Sequence, residues 1–453
     1  MTARLKGLAR AFALAAAAGV LPCCQTDDVG AGDTIALATV RASILLTKVE
    51  PFLDCVGPAL SPDGLLVAFS STSGNLTSGD SNGFEDIFIK DRRDGSVTNV
   101  TKVVVPVTSF PPYAPADCDT PAISADGRYV AFLSRGGYVA YTAPASILPN
   151  TAVWRYDRLT KTFARAFVSS TPPDRSMTSP SISADGRYVA FASAASNMTP
   201  ANPGFVRQIW VMDMQASLMT LVSTDAAGTG RADAFCNDPK ITPDGQSIVF
   251  WTFSTNLLSP AIPSQGLVYV GSRTGTPPVL VSRGTANAMP DSDCYMGALS
   301  DDGRYVVFGT YASNVPTGGA VVPPVMVRRD IITGLLDLVT SVPGLLPFAV
   351  YPNGYVPAIS GDGAIVAFLS RSDTLSPGTP LGSFANVFVW NGATGTTSLA
   401  SRHQILGTPS DSDCSLPGVS SDGRWVAWST VSDLMVDGDT NGVSDVFLRG
   451  PLR

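Results

Sequence analysis

Along most of this chain, short apolar runs alternate with polar positions at a period of two and are broken by Gly, Asp and Pro, the pattern of strands joined by tight turns. One nine-residue pattern recurs: Ser or Thr, any residue, Asp-Gly, then a turn residue and an apolar run closing on Phe or Trp. Seven copies stand at Ser61 to Phe69, Ser124 to Phe132, Ser183 to Phe191, Thr242 to Phe250, Ser300 to Phe308, Ser360 to Phe368 and Ser420 to Trp428. Their Asp residues fall at 63, 126, 185, 244, 302, 362 and 422, with spacings of 63, 59, 59, 58, 60 and 60 residues. Such a regular period is the mark of a repeat architecture.

Asp-Gly between two apolar runs predicts a hairpin whose turn needs positive φ. In the second copy, Pro121 to Ser124 enters the turn and Tyr129 to Phe132 leaves it. A third strand follows in every unit, from Ile87 to Lys90 in the first to Val446 to Arg449 in the last. A fourth follows in the first six, as at Leu218 to Ser223 and Val279 to Ser282. The seventh unit reaches Arg453 without supplying its own, and the segment Thr34 to Val40 is the candidate to complete it. The prediction is an all-β fold: a seven-bladed β-propeller of four-stranded antiparallel blades, its ring closed by an N-terminal strand that leaves no open edge.

Composition agrees, with 42 Gly, 35 Pro and only 15% charged residues. The amino terminus reads differently from the rest. Arg4, Lys6 and Arg10 precede an apolar run from Ala11 to Leu21, the layout of an export signal and too short for a comfortable membrane span. Residues 1–23 are therefore expected to be a signal peptide, 24–33 a short linker and 34–453 the propeller. Cys23 and Cys24 are candidates for lipidation, the alternative being plain secretion; Pro22 and the paired cysteines depart from the usual lipoprotein motif. Without the leader, 27 Lys and Arg face 37 Asp and Glu, a balance of −10. That charge repels phosphate backbones, so nucleic acid is excluded as a partner, and a membrane is reached only through an N-terminal lipid.

Ser61-Pro62-Asp63-Gly64 and the Ser-Ala-Asp-Gly-Arg-Tyr-Val-Ala-Phe copies at 124 and 183 resemble the repeats of TolB-type propellers of the bacterial envelope, relatives of the WD repeat. The resemblance covers nearly the whole chain after the leader. It implies a module that binds or scaffolds an envelope protein, peptide or glycan; with the leader, the expectation is an exported monomer in the periplasm, at the outer membrane as a lipoprotein or at the cell surface. The chain lacks the separate amino-terminal domain of TolB and its blades are longer, so fold and mode of action carry over and the specific partner does not.

Cys55, Cys118, Cys236, Cys294 and Cys414 each lie eight residues before a repeat Asp, with Met177 and Gly354 in the other two units. This places them before the innermost strand, around one mouth of the central channel, where neighbours in an exported protein are candidates for disulfides; Cys55 with Cys118, Cys236 with Cys294 and Cys55 with Cys414 are the adjacent pairs. Buried thiols and a metal or redox site are the other readings. Asp54, Asp117, Asp119, Asp293 and Asp413 flank these cysteines, and with His403 form the candidate binding set at the mouth. A calcium loop is the second candidate: Asp437, Asp439, Asn441, the Val443 carbonyl and Asp445 offer oxygens at alternate positions. A weaker copy holds Asp80, Asn82 and Asp86, and a solvated Asn-Gly turn is the plainer reading of both. His403 is the only histidine and no Gly-x-Ser-x-Gly elbow is present, so no nucleophilic triad can be drawn. Binding is thus the favoured function, and a metal-assisted hydrolase or lyase at the channel mouth, using those carboxylates and His403, is the alternative.

Overall fold

The computed structural model describes residues 38–44, 49–80, 83–101, 117–135, 150–168, 171–198, 205–315, 324–340, 357–372, 375 and 384–453. The expected signal peptide, the linker, Cys23, Cys24 and Asn82 lie outside the described residues. Seven four-stranded antiparallel sheets follow one another along the chain, each beginning with its innermost strand. Blade one consists of Cys55–Leu60, Leu66–Ser71, Asp86–Asp91 and Val97–Asn99, and blades two to six repeat that order. Blade seven takes Cys414–Val419, Val426–Thr430 and Asp445–Gly450 from the end of the chain and Ala38–Arg41 from its start. The closing strand pairs Ala38 with Gly450, Thr39 with Arg449, Val40 with Leu448 and Arg41 with Phe447. It therefore does the work expected of Thr34 to Val40, seen over its second half.

The innermost strands touch their neighbours all the way round, blade seven against blade one included. Because each blade is covered on both sides, its second strand is apolar on both faces: Leu66–Ser71, Tyr188–Ser193 and Ile365–Ser370 are buried at every position. The aromatic that closes each repeat is fully buried. Phe69, Phe250, Phe368 and Trp428 face Phe88, Tyr269, Phe388 and Phe447 on the third strand, with ring centroids 5.8 to 6.2 Å apart. Fully burying one such ring contributes roughly 1.5–3 kcal/mol.

The repeat motif is the hairpin between strands one and two. Ser61 Oγ donates to Asp63 Oδ1 at 2.6 Å and accepts the N–H of Leu66 at 2.9 Å, while Asp63 Oδ1 accepts the N–H of Leu65 at 3.0 Å. Gly64 has φ +66°, which suits glycine. It has a second reason to be glycine: a Cβ there would lie 2.5 Å from Trp425 of blade seven, whose ring packs over the turn and seals the closure. The arginine that follows several of these turns is not merely solvated. Arg128, Arg187 and Arg304 pair with Asp157, Asp213 and Asp330 at 2.7 to 2.8 Å.

These turns also narrow the channel at their end. Ala125 donates its N–H to the Ala184 carbonyl, Ala184 to Pro243, Asp301 to Gly361, Gly361 to Ser421 and Asp422 to Pro62, at 2.8 to 3.0 Å, so a belt of backbone bonds runs from blade to blade. Ser421 of blade seven donates to the carboxylate of Asp301 in blade five, passing over Gly361 of blade six. The described strands one and three start, and strands two and four end, at the opposite end, the channel mouth.

Candidate functional site at the channel mouth

The innermost strands of blades one to five and seven start at the mouth and are fastened there to the blade before. Cys55 donates its N–H to the Ser444 carbonyl and Asp54 accepts the N–H of Ser444, at 2.6 and 2.7 Å. The same two-point staple joins Asp117-Cys118 to Glu85, Asp293-Cys294 to Gly266 and Asp413-Cys414 to Ala385. Blade three substitutes a hydroxyl: Ser176 accepts from Thr151 while Met177 donates to it. Asp54, Asp117, Asp293 and Asp413, expected as ligand-facing carboxylates, each therefore commit an oxygen to holding two blades together. A short side chain next to a strand's first residue is what the neighbouring backbone N–H requires.

The cysteines are corrected as well. All five are fully buried thiols and none forms a disulfide, because their side chains turn into the apolar layers between sheets and away from the channel. Cys55 Sγ lies 3.4 Å from Ser71 Oγ and Cys294 Sγ 3.2 Å from Thr310 Oγ1, each partner on its own blade. Burial pushes the thiols of Cys236 and Cys294 up to about 12 and that of Cys414 to about 11. Such thiols are poor metal ligands and poor nucleophiles.

Two residues beyond each of these positions, the inner strand makes a left-handed kink. Gly57, Thr120, Ser179, Asp238, Met296 and Leu416 have φ between +49° and +65°, and only one is glycine. The kink coincides with a register shift in the pairing of strands one and two, a β-bulge that re-aims side chains at the rim. Five non-glycine residues in this conformation store strain, a feature that clusters at functional sites.

Blades four and five furnish the most distinctive part of this rim. Phe235, Trp251 and Phe253 pack edge to face with centroids 5.6 to 6.4 Å apart, and Tyr295 and Tyr311 follow at 5.4 Å from each other. Phe235 is 48% exposed and Tyr311 38%. Trp251 Nε1 donates to Asp238 Oδ2 at 2.9 Å, Ser179 donates to the other oxygen of Asp238, and Arg207 donates to Asn237 at 2.7 Å. Asp238 is thus a fixed acceptor beside a partly exposed aromatic shelf. The sequence reading missed this cluster because its rings sit in four separate segments with no shared motif.

Blades one and two present acid. Desolvation, together with repulsion from Asp117, holds the carboxyls of Glu85 and Asp119 above their ordinary range. Asp119 is the one expected mouth carboxylate that is not a staple; it accepts from Thr120 at 2.7 Å. His403 stands apart. It is buried, its Nδ1 accepts the N–H groups of Ile405 and Leu406 at 3.1 and 3.0 Å, and its Nε2 faces Asp437 Oδ1 at 3.3 Å. It organises the turn that enters blade seven.

The calcium expectation meets a guanidinium. Arg41, on the closing strand, places Nη1 at 3.0 Å from Asp439 and 3.3 Å from Asp445, and Nη2 at 2.8 Å from Glu50. Asn441 spends its amide on Asp445 and on the Pro51 carbonyl. Asp437 turns to His403, and Val443 is engaged through its N–H with Asn441. Among the described residues no three His, Cys, Asp or Glu side chains converge as a metal would require, so the donor set does not fit calcium. In blade one, Asn99 donates to Asp80 and Asp86 at 2.9 and 3.1 Å, an amide in the corresponding place.

No family model matches this chain, and no curated protein matches it in sequence. Solved structures do. An oligogalacturonate lyase from Vibrio parahaemolyticus is 13% identical with a TM-score of 0.53, over 92% of this chain and 98% of that one. The β-propeller domain of the Trilobed protease from Pyrococcus furiosus is 12% identical with a TM-score of 0.48, over 88% and 95%. TolB from Acinetobacter baumannii is 15% identical with a TM-score of 0.38, over 81% and 76%. The likeness to the lyase establishes the fold alone; the other two overlap too loosely to carry an argument. The propeller fold read from the repeat is thus matched by a solved structure, and the resemblance to TolB rests on the repeat residues.

Proposed function

We propose that this chain is an exported binding propeller that holds a peptide, protein segment or glycan at its channel mouth, in the sector of blades four and five. One observation carries the reading: a partly exposed aromatic shelf, Phe235, Trp251, Phe253 and Tyr311, stands by a fixed acceptor, Asp238, on a ring of strained bulges. Convergent aromatic and polar groups in a concave mouth are the usual composition of a ligand site. Aromatic anchors of this kind dominate binding energy, and truncating one costs about 2 kcal/mol or more. Screening the purified protein on arrays of peptides and glycans tests the idea. The strongest hits should weaken at least about tenfold in Trp251→Ala at a temperature where the variant remains folded. Hits that ignore the substitution would move the site elsewhere.

A second reading, acid–base catalysis at the mouth, draws on Glu85 and Asp119, whose carboxyls burial shifts upward, the direction a general acid needs. It requires that an array glycan be cleaved, with new chain ends, and that Asp119→Asn abolish the cleavage.

A further inference from the structure

The channel wall carries one cation at a place where the repeat otherwise sets very small side chains. Four residues before the repeat Asp, on the innermost strand, stand Ala59, Ala122, Ser181, Lys240, Ala298, Ala358 and Gly418 in blades one to seven. Where the structure shows a contact, this position points along the channel wall to the next blade: Ser181 Oγ accepts the N–H of Ile241 at 3.1 Å, and a Cβ at Gly418 would lie 3.5 Å from the Pro58 carbonyl. A lysine is far too long for that space, and its stem must run into the channel. Lys240 is half-buried on the innermost strand, and among the described residues no hydrogen bond or ion pair reaches its ammonium. Desolvation pushes its amine below the ordinary lysine value, with Asp238 opposing. Asp238 is already engaged by Trp251 and Ser179.

Lys240 lies two residues further from the mouth than the bulge at Asp238, roughly 7 Å along an extended strand. Beyond it the turns close in, with the backbone belt and the Ser421–Asp301 contact crossing that end. A ligand that meets the aromatic shelf and continues inward thus reaches a cation in a narrowing tube, a geometry for the end of a chain rather than its middle. Charge selects which chain. The protein carries a net charge of −7, and the opposite arc of the mouth holds Glu85, Asp117 and Asp119. A poly-uronate would bring repeated negative charge against that arc. A peptide of apolar and basic residues brings one carboxylate, at its C-terminus.

Resting on the binding function proposed above, we propose that the channel receives the free C-terminus of an extended apolar and basic peptide, its carboxylate on the Lys240 ammonium and its preceding side chains on the shelf of Phe235, Trp251 and Phe253. The probe is a fluorescent mixture of roughly eight-residue peptides of Leu, Phe, Lys and Arg, long enough to span shelf and channel at about 3.3 Å per residue. It is prepared with free carboxylate and, separately, with C-terminal amide, and titrated by anisotropy against the whole folded protein. The free acid should bind about tenfold tighter than the amide, as a charge-assisted bond to a desolvated cation implies. Lys240→Met, which keeps the stem, should erase that preference, and Lys240→Arg should keep part of it. Equal binding of acid and amide, or a preference that survives Lys240→Met, overturns the inference while leaving the binding function in place if Trp251→Ala still abolishes affinity. Tighter binding of tri-galacturonate than of any peptide also overturns it, in favour of a glycan. Absence of binding to peptides, with array hits equally indifferent to Trp251→Ala, removes both.

Discussion

Arg41 shows how one side chain settles what a motif leaves open. Its guanidinium is buried with Asp439, Asp445 and Glu50 around it, so the acids of blade seven close upon a cation that belongs to the chain. Removing one partner from a buried ionic cluster leaves charges stranded, which costs about 3–5 kcal/mol. Arg41→Met should therefore lower the unfolding midpoint markedly in urea, whereas calcium or a chelator should leave the wild type unmoved. Burial, chiefly, raises the Asp439 carboxyl to about 6, with Arg41 opposing. A carboxyl whose folded value lies above its unfolded value, near 3.9, binds more protons in the folded state between those two pH values. Stability attributable to it should rise as pH falls from 7.5 toward 5, and Asp439→Asn should flatten that part of the pH profile measured by thermal melting. A calcium-dependent rise in melting temperature would show the clasp to be misread.

At the scale of the element, the inner strand is both joint and rim. Its first residue and the acid before it staple adjacent blades, its third makes the left-handed bulge, and its fifth lines the channel. The cysteine position belongs to the first of these jobs, where a small apolar side chain fits between sheets. A thiol reagent should accordingly modify none of Cys55, Cys118, Cys236, Cys294 and Cys414 in the native protein and all five after unfolding without reductant. Fewer than five would restore the disulfide expectation. The period of these cysteines was plain in the sequence; the direction of their side chains was not. A one-residue difference in facing separates the channel from the core, and the bulge that fixes facing leaves no sequence signature when Thr, Ser, Asp, Met or Leu occupies it.

For the whole molecule, closure is the feature on which the rest depends. Deleting residues 34–44 removes Ala38–Arg41, exposes the edge of Asp445–Gly450 and strands the acids that Arg41 neutralises. Such a truncation should lose its cooperative melt or associate into larger species on gel filtration; a monomer that melts like the intact chain would show the closing strand to be dispensable. The sequence by itself determined the number of blades, their strand order, the glycine turns and the closing segment. Each follows from local rules, period-two burial and turn chemistry, repeated seven times until chance is excluded. Only the tertiary structure decided which acids are staples, that His403 supports a turn, that Arg41 stands where calcium was expected, and that Phe235 packs on Trp251 and Tyr295 on Tyr311 in neighbouring blades. Most of those relations join residues from separate segments or different blades, and distance in space between segments far apart in the chain is set by the closed ring, which no local pattern encodes.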